Sequence, residues 1–170
     1  ATAKFLLEDG FVVVMADLDE KRLKDVAAPL GPDTHLIAFD VSKYDEVEAA
    51  VRRIETEIGP VDVLVNNAGI LSNNKVAETT PDEWHRVLAV NLDGAFYLSK
   101  LILPGMKARR WGRIVNTCSF AMKSGGLTAG TAYTTSKGAL QALTFSLARE
   151  SVEYGVTVNG IAPAYVKTPM

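Results

Sequence analysis

Cysteine is almost missing from this 170-residue chain, and the single thiol of Cys118 closes no internal disulfide. A reducing compartment is the expectation. Histidine is nearly as scarce, with His35 and His85 isolated from each other and from Cys118, so no cluster has metal-ligand spacing and no metal site is expected. Charge of one sign is not in surplus: eighteen Lys and Arg against twenty Asp and Glu leave a formal net charge of -2. Without a cationic excess there is nothing to draw a phosphate backbone or an anionic bilayer, which excludes nucleic-acid and membrane partners from the expectations. Continuous apolar runs fall well short of the roughly 20 residues of a membrane span, and no basic region leads into an apolar signal core. The predicted location is cytoplasmic. Repeats, low-complexity tracts and linkers are absent as well.

What is present is the composition of one globular domain spanning residues 1–170, 48% hydrophobic and 22% charged. The first residues, Ala1 to Glu8, read as the second half of an amphipathic helix stopped by Asp9-Gly10. Short Val-rich runs then alternate with helical stretches. Phe11–Asp17, Thr34–Asp40, Val61–Asn66, Arg113–Cys118 and Val156–Ile161 are the strands, and their continuous apolar character predicts burial on both faces, hence a parallel sheet. Helices are predicted from Asp19 to Pro29, from a Ser42 cap toward Ile58, from Thr80 to about Lys107, and from Tyr133 to Tyr154. Thr80-Pro81-Asp82-Glu83 combines a capping box with proline at the first helical position. Regular alternation of this kind makes a doubly wound α/β layer structure. Ligands in such structures lie beyond the carboxyl ends of the strands.

Asp17 ends the first strand, where a dinucleotide-binding sheet places an acid to accept from ribose hydroxyls; a strand-end or helix-capping role is the alternative. Asp40 closes the next strand and reads equally as a turn residue. Asn66-Asn67-Ala68-Gly69 follows the third strand with small residues that permit close backbone approach to a ligand, or simply make an Asx turn. Tyr133 and Lys137 stand at i and i+4 on one helix face. A nearby ammonium favours a phenolate, which turns a weak acid into a usable acid and base. Ser119, just past a strand end, is placed to donate to a carbonyl oxygen beside the tyrosine. Cys118 reads as a buried strand-end residue, not a nucleophile.

Together these residues resemble the short-chain dehydrogenase/reductase family along essentially the whole chain. The matching features are Asp17, Asp40-Val41, Asn66-Asn67-Ala68-Gly69, Val90-Asn91-Leu92-Asp93-Gly94, Ile114-Val115-Asn116 with Ser119, Tyr133 with Lys137, and Val158-Asn159 followed by Pro163 and Thr168. The resemblance implies a Rossmann-like doubly wound parallel sheet in three αβα layers, an NAD(P)-binding domain over residues 1–170. It implies Tyr133 as general acid and base, Ser119 polarising the substrate carbonyl, Lys137 on the nicotinamide ribose, and Asn91 holding a relay water. Cofactor contacts are carried by Asp17, Asp40, Val41, Asn67, Ala68, Gly69, Tyr133, Lys137, Pro163, Val166 and Thr168. NAD is the expected cofactor, with NADP as the alternative, and the expected assembly is a homodimer or homotetramer. Ala139, Leu143 and Leu147 form a stripe that such an interface would use, although a helix on a parallel sheet must spend at least one such face on its own core.

The sequence departs from the family pattern in several places. The Gly-x-x-x-Gly-x-Gly loop and first strand do not occur, nor does the C-terminal substrate-covering region, so two half-sheets are expected to border the place of a central strand. Residues 1–170 alone are therefore expected to be poorly soluble and inactive. Pro163-Ala164 stands where the family has Pro-Gly, and a positive φ at Ala164 would add strain of about 1 kcal/mol. The Ser119–Tyr133 spacing is one residue longer than usual, so either a small loop insertion absorbs it or Ser119 is not the family's serine. The implied activity is hydride transfer between NAD(H) and a secondary alcohol or ketone. The alternatives are an NADPH-dependent carbonyl reductase, for example of 3-oxoacyl groups, with Lys21 or Arg22 reaching the 2'-phosphate, and a non-catalytic fragment or structural partner.

Overall fold

The computed structural model describes residues 1–32 and 34–164. The elements run α1 (Thr2–Glu8), β1 (Val13–Asp17), α2 (Glu20–Ala27), β2 (Thr34–Ala38), α3 (Tyr44–Glu57), β3 (Val63–Asn66), α4 (Pro81–Leu88), α5 (Gly94–Arg109), β4 (Gly112–Thr117), α6 (Ala121–Ser124), α7 (Thr131–Ser151) and β5 (Val156–Ile161). The strands are parallel, as their continuous apolar character predicts, but the expected burial on both faces is corrected: β4 alternates buried with half-buried positions, and β5 buried with exposed ones before running out exposed. β1 lies beside β2 with Asp17 opposite Ala38. β4 lies between β3 and β5, with Asn116 opposite Asn66 on one side and Gly160 on the other. A two-stranded and a three-stranded sheet result. Among the described residues nothing pairs with the second edge of β1 or of β3, the two edges that were expected to border a central strand.

The sheets nevertheless share one apolar core, in which Ile37 and Phe39 pack with Val47 and Val51 of α3, Leu64 of β3, Met106 of α5, Ile114 of β4 and Val156 of β5. Val47, Met106 and Ile114 are wholly shielded from solvent, each contributing about 1.5–3 kcal/mol by burial. Leu143 and Leu147 also pack into this core. These two stripe residues of α7 therefore serve the chain's own core, the alternative that a helix on a parallel sheet carries.

Helix starts follow the sequence with three differences. Thr80 caps α4, its hydroxyl oxygen accepting from the Glu83 N–H at 3.1 Å, with Pro81 in the first turn. The reciprocal half of the capping box does not form, because segment 72–74 folds back over the helix start and the Glu83 carboxylate accepts from Ser72 Oγ and Asn74 Nδ2 instead. Ser42 does not cap α3. The helix starts after Lys43, and the Ser42 hydroxyl donates at 2.6 Å to Asp40, a charged acceptor stronger than any backbone partner. The run expected as one helix from Thr80 contains a π turn, Ala89–Asp93, between α4 and α5. Taken whole, Pro81–Arg109 is long and apolar enough by composition to cross a bilayer, which short apolar runs did not suggest; Ile102, Leu103 and Met106 of this stretch lie in the shared core.

Candidate active site

The carboxyl ends of β3 and β4 meet the first turns of α7. Lys137, only 4% exposed, donates from Nζ to the Thr117 carbonyl oxygen at 2.7 Å. Its Nζ lies 5.9 Å from the ring centroid of half-buried Tyr133, one helical turn earlier. Burial pushes the Lys137 ammonium below its ordinary pKa. Thr117 O is its single hydrogen-bond acceptor among the described residues, so two of its three N–H donors are unspent.

Asn91, in the π turn and 1% exposed, is tied on every side. Its Oδ1 accepts from Ile70 N at 2.8 Å, and its Nδ2 donates to Ile70 O and Ser136 Oγ, both at 3.0 Å. Ser136 in turn donates to Tyr133 O at 2.7 Å. Gly69 sits against this knot: a Cβ there would stand 3.3 Å from both Asn91 Oδ1 and Lys137 Nζ. Any larger residue would crowd the two groups, so the small residue after Asn67-Ala68 has a spatial reason. Exposed Asn67 accepts from Thr117 Oγ1 at 3.3 Å, which joins the turn after β3 to the end of β4. Ala68 is exposed beside it.

Ser119 is half-buried, and its Oγ accepts from Ala121 N at 3.2 Å. That bond uses a lone pair and leaves the hydroxyl proton available. The next residue, Phe120, donates from its backbone to Pro163 O at 3.0 Å, which brings Pro163 beside the serine's segment. Ala164 carries no positive φ, since Arg110 is the one non-glycine residue with that conformation among those described. The expected strain at Ala164 is therefore corrected. Val166 and Thr168 lie outside the described residues. Cys118 is 3% exposed, and burial pushes its thiol upward in pKa, with the Thr144 hydroxyl opposing. It packs as a buried residue just after β4.

The remaining candidates lie at the carboxyl end of the two-stranded sheet. Asp17 is exposed; its Oδ1 accepts from Asp19 N at 3.1 Å, while Asp19 itself caps α2 by accepting from Arg22 N at 3.0 Å. Asp40 forms an Asx turn with Ser42, whose hydroxyl holds the carboxyl below its ordinary range. Val41 is half-buried against the start of α5, its Cβ 2.9 Å from where a Cβ on Gly94 would lie. Sequence reasoning missed Ser136, Thr117 and Ile70. Ser136 had a signal, its place between Tyr133 and Lys137 on the same helix; Ile70 acts through its backbone, and Thr117 meets Lys137 through its carbonyl, atoms that leave none. No metal-ligating cluster occurs among the described residues.

Parallel strands flanked by helices, with the candidate residues gathered at the strand ends, define a Rossmann-like α/β protein. The chain belongs to the short chain dehydrogenase family, whose model matches residues 1–170. It is 40% identical over 153 residues to the 5-keto-D-gluconate 5-reductase of Escherichia coli K12, covering 90% of this chain and 56% of that protein. It is 36% identical to the 3-oxoacyl-[acyl-carrier-protein] reductase FabG of Vibrio harveyi, covering 100% of this chain and 69% of that one. Among solved structures it resembles a gluconate 5-dehydrogenase from Burkholderia cenocepacia J2315 in complex with NADP and tartrate, with TM-score 0.89 and 34% identity over 98% of this chain and 66% of that one. A similar likeness holds to an NAD+-bound xylitol dehydrogenase, with TM-score 0.92 and 33% identity over 99% of this chain and 66% of that one. The chain thus spans little more than half the length of the gluconate reductase it matches.

Proposed function

We propose that the full-length protein interconverts a secondary alcohol and a ketone with NAD(H), acting on a small hydroxylated substrate of the polyol or sugar-acid class. One observation supports this above the others: a buried ammonium, Lys137, stands one turn from the phenol of Tyr133 with two donors unspent. That donor set fits a nicotinamide dinucleotide, since ribose hydroxyls are acceptors for such N–H groups and the backbone at Gly69 leaves them uncrowded. Tyr133 is the general acid and base, taking the alcohol proton during oxidation and returning it to the carbonyl oxygen during reduction. Ser119 donates its free proton to the same oxygen. Lys137 binds the nicotinamide ribose, Asn91 holds the water of a proton relay through the one Oδ1 lone pair that Ile70 N leaves free, and Pro163 lies on the nicotinamide side. Asp17, Asp40, Val41, Asn67, Ala68 and Gly69 serve the adenosine half, and Val166 and Thr168 complete the set. When bound, the dinucleotide supplies the hydride acceptor or donor. The substrate class is supported by the gluconate and xylitol relatives.

The protein works in the cytoplasm as a homodimer or homotetramer, for which exposed Phe96 and Phe145 on α5 and α7 supply apolar surface; light scattering of the full-length protein reads that state. A second reading, reduction of a carbonyl such as a 3-oxoacyl group with NADPH, is supported by exposed Lys21 and Arg22 near Asp17 and by the FabG relative.

Nicotinamide absorbance with NAD and with NADPH, on polyols, sugar acids and acyl substrates, separates these readings. In the same assay Tyr133→Phe should cut turnover about 10²- to 10⁴-fold while dinucleotide binding survives. Turnover within a few-fold of the parent would remove Tyr133 from its role. Failure of the parent protein to bind either dinucleotide would point to a structural partner.

A further inference from the structure

Ser119 follows β4 and Tyr133 lies in α7, and the segment joining them has a tip that stands clear of the core. Its tip residue Leu127 is 79% exposed, and Gly125 and Gly126 turn the chain at positive φ. The returning limb is held by a different part of the chain. Lys75 Nζ donates to Gly126 O and to Ala129 O, each at 2.7 Å. Gly130 N donates to Ser72 O at 2.6 Å, and Thr131 N to Asn74 O at 3.0 Å. Segment 72–75 therefore satisfies N–H groups that the start of α7 leaves without helical partners. The segment is anchored in its turn by Glu83 through Ser72 Oγ and Asn74 Nδ2. The Ser72 hydroxyl is the main cause holding the Glu83 carboxyl below its ordinary range.

The fit between strap and helix is close. A Cβ at Gly130 would lie 2.5 Å from Asn74 O and 2.7 Å from Ser72 O, backbone atoms that cannot swing aside. The φ of Gly130 is -78°, open to any residue. Contact with the strap, not backbone conformation, is what demands glycine here.

The geometry points to Lys75 as a positioning residue for the reaction. On the reading that Ser119 and Tyr133 act on one substrate oxygen, its ammonium pins the lengthened loop between them and sets where α7 begins, and with it where Tyr133 stands relative to Ser119. Lys75 touches neither reacting group. It works through the carbonyls of Gly126 and Ala129, while Ser72, Asn74 and Glu83 keep it in place.

The test uses the full-length protein with Lys75→Met, Lys75→Arg and Gly130→Ala, the last of which displaces the strap without removing a charge. Lys75→Met should lower kcat about 10- to 100-fold, the cost of displacing a reacting group by about 1 Å, with dinucleotide Kd within about twofold of the parent. Amide exchange at Gly130 and Thr131 should accelerate at least about tenfold, because local opening governs it. Gly130→Ala should lower kcat in the same way, and arginine, which also reaches two carbonyls, should restore at least half of the loss. Parent-level kcat in Lys75→Met overturns the proposal. So does a kcat loss that comes with equal losses of dinucleotide affinity and thermal stability and that arginine does not repair. Tyr133→Phe measured alongside keeps the two readings apart: if it stays active, the functional assignment fails, and if it is inactive while Lys75→Met is not, the strap alone fails.

Discussion

An ammonium held as deeply as that of Lys137 is costly to keep charged, since burial disfavours the ionised form and one carbonyl returns only part of the lost hydration. Perturbed ionisation of this sort gathers at functional sites. Asp17 is its opposite, exposed and engaged by a single turn hydrogen bond from Asp19 N. If it accepts from ribose hydroxyls and repels a 2'-phosphate, its charge alone sets the cofactor preference. Asp17→Asn keeps an acceptor for Asp19 N and removes that charge, so the ratio of kcat/KM for NAD over NADP should fall about tenfold, which is about 1.4 kcal/mol. An unchanged ratio would leave Asp17 only the turn into α2.

Among elements, α5 carries two features against helix rules. Pro104 sits inside it at the cost of one backbone hydrogen bond, and its last turn closes on Arg110 in the left-handed region at φ 55°. Glycine is the usual occupant of that position, and a side chain there costs about 1–2 kcal/mol. Arg110 recovers part of this by donating from Nη2 to Glu153 O at 2.9 Å. Arg110→Gly should therefore leave stability within about 0.5 kcal/mol of the parent, the released strain being matched by the lost hydrogen bond and the added freedom of the unfolded chain. Thermal melting of the full-length protein checks it. A lowered midpoint would mean that the link to Glu153 outweighs the strain. The π turn before α5 has a clearer use, because it is the stretch that carries Asn91 into the knot with Ile70 and Ser136.

At the scale of the molecule, the separation into two sheets leaves β1 and β3 each with one edge unpaired among the described residues. Strand edges template association, and burying them unpaired costs about 1–3 kcal/mol per group, which over several groups rivals the 5–15 kcal/mol of a typical domain. Expressed as residues 1–170 alone, the chain should be poorly soluble or partly folded, bind NAD no better than about millimolar, a free energy near -4 kcal/mol, and turn over no substrate. Calorimetric titration with NAD beside a thermal melt measures both. A cooperative melt with micromolar affinity would mean that the shared core around Ile37, Val47 and Met106 holds the sheets together unaided.

Much of this architecture was legible in residue order. Continuous Val-rich runs pointed to parallel strands, Thr80-Pro81 announced α4, and the spacing of Tyr133 and Lys137 pointed to the candidate site, because each pattern depends on residues within one or two turns of each other. Tertiary structure decided what depends on distant partners. Glu83 was expected to close its own capping box, yet two donors from 72–74 drew its carboxylate away. Ser42 left its helix for a charged acceptor at Asp40. Asn91 found Ile70 and Ser136, and Lys75 found the carbonyls before α7. Local periodicity and capping are short-range energies that a sequence displays directly, whereas these bonds join groups brought near each other only after the helices have packed on their sheets, and several of the partners are backbone atoms that every residue has in common.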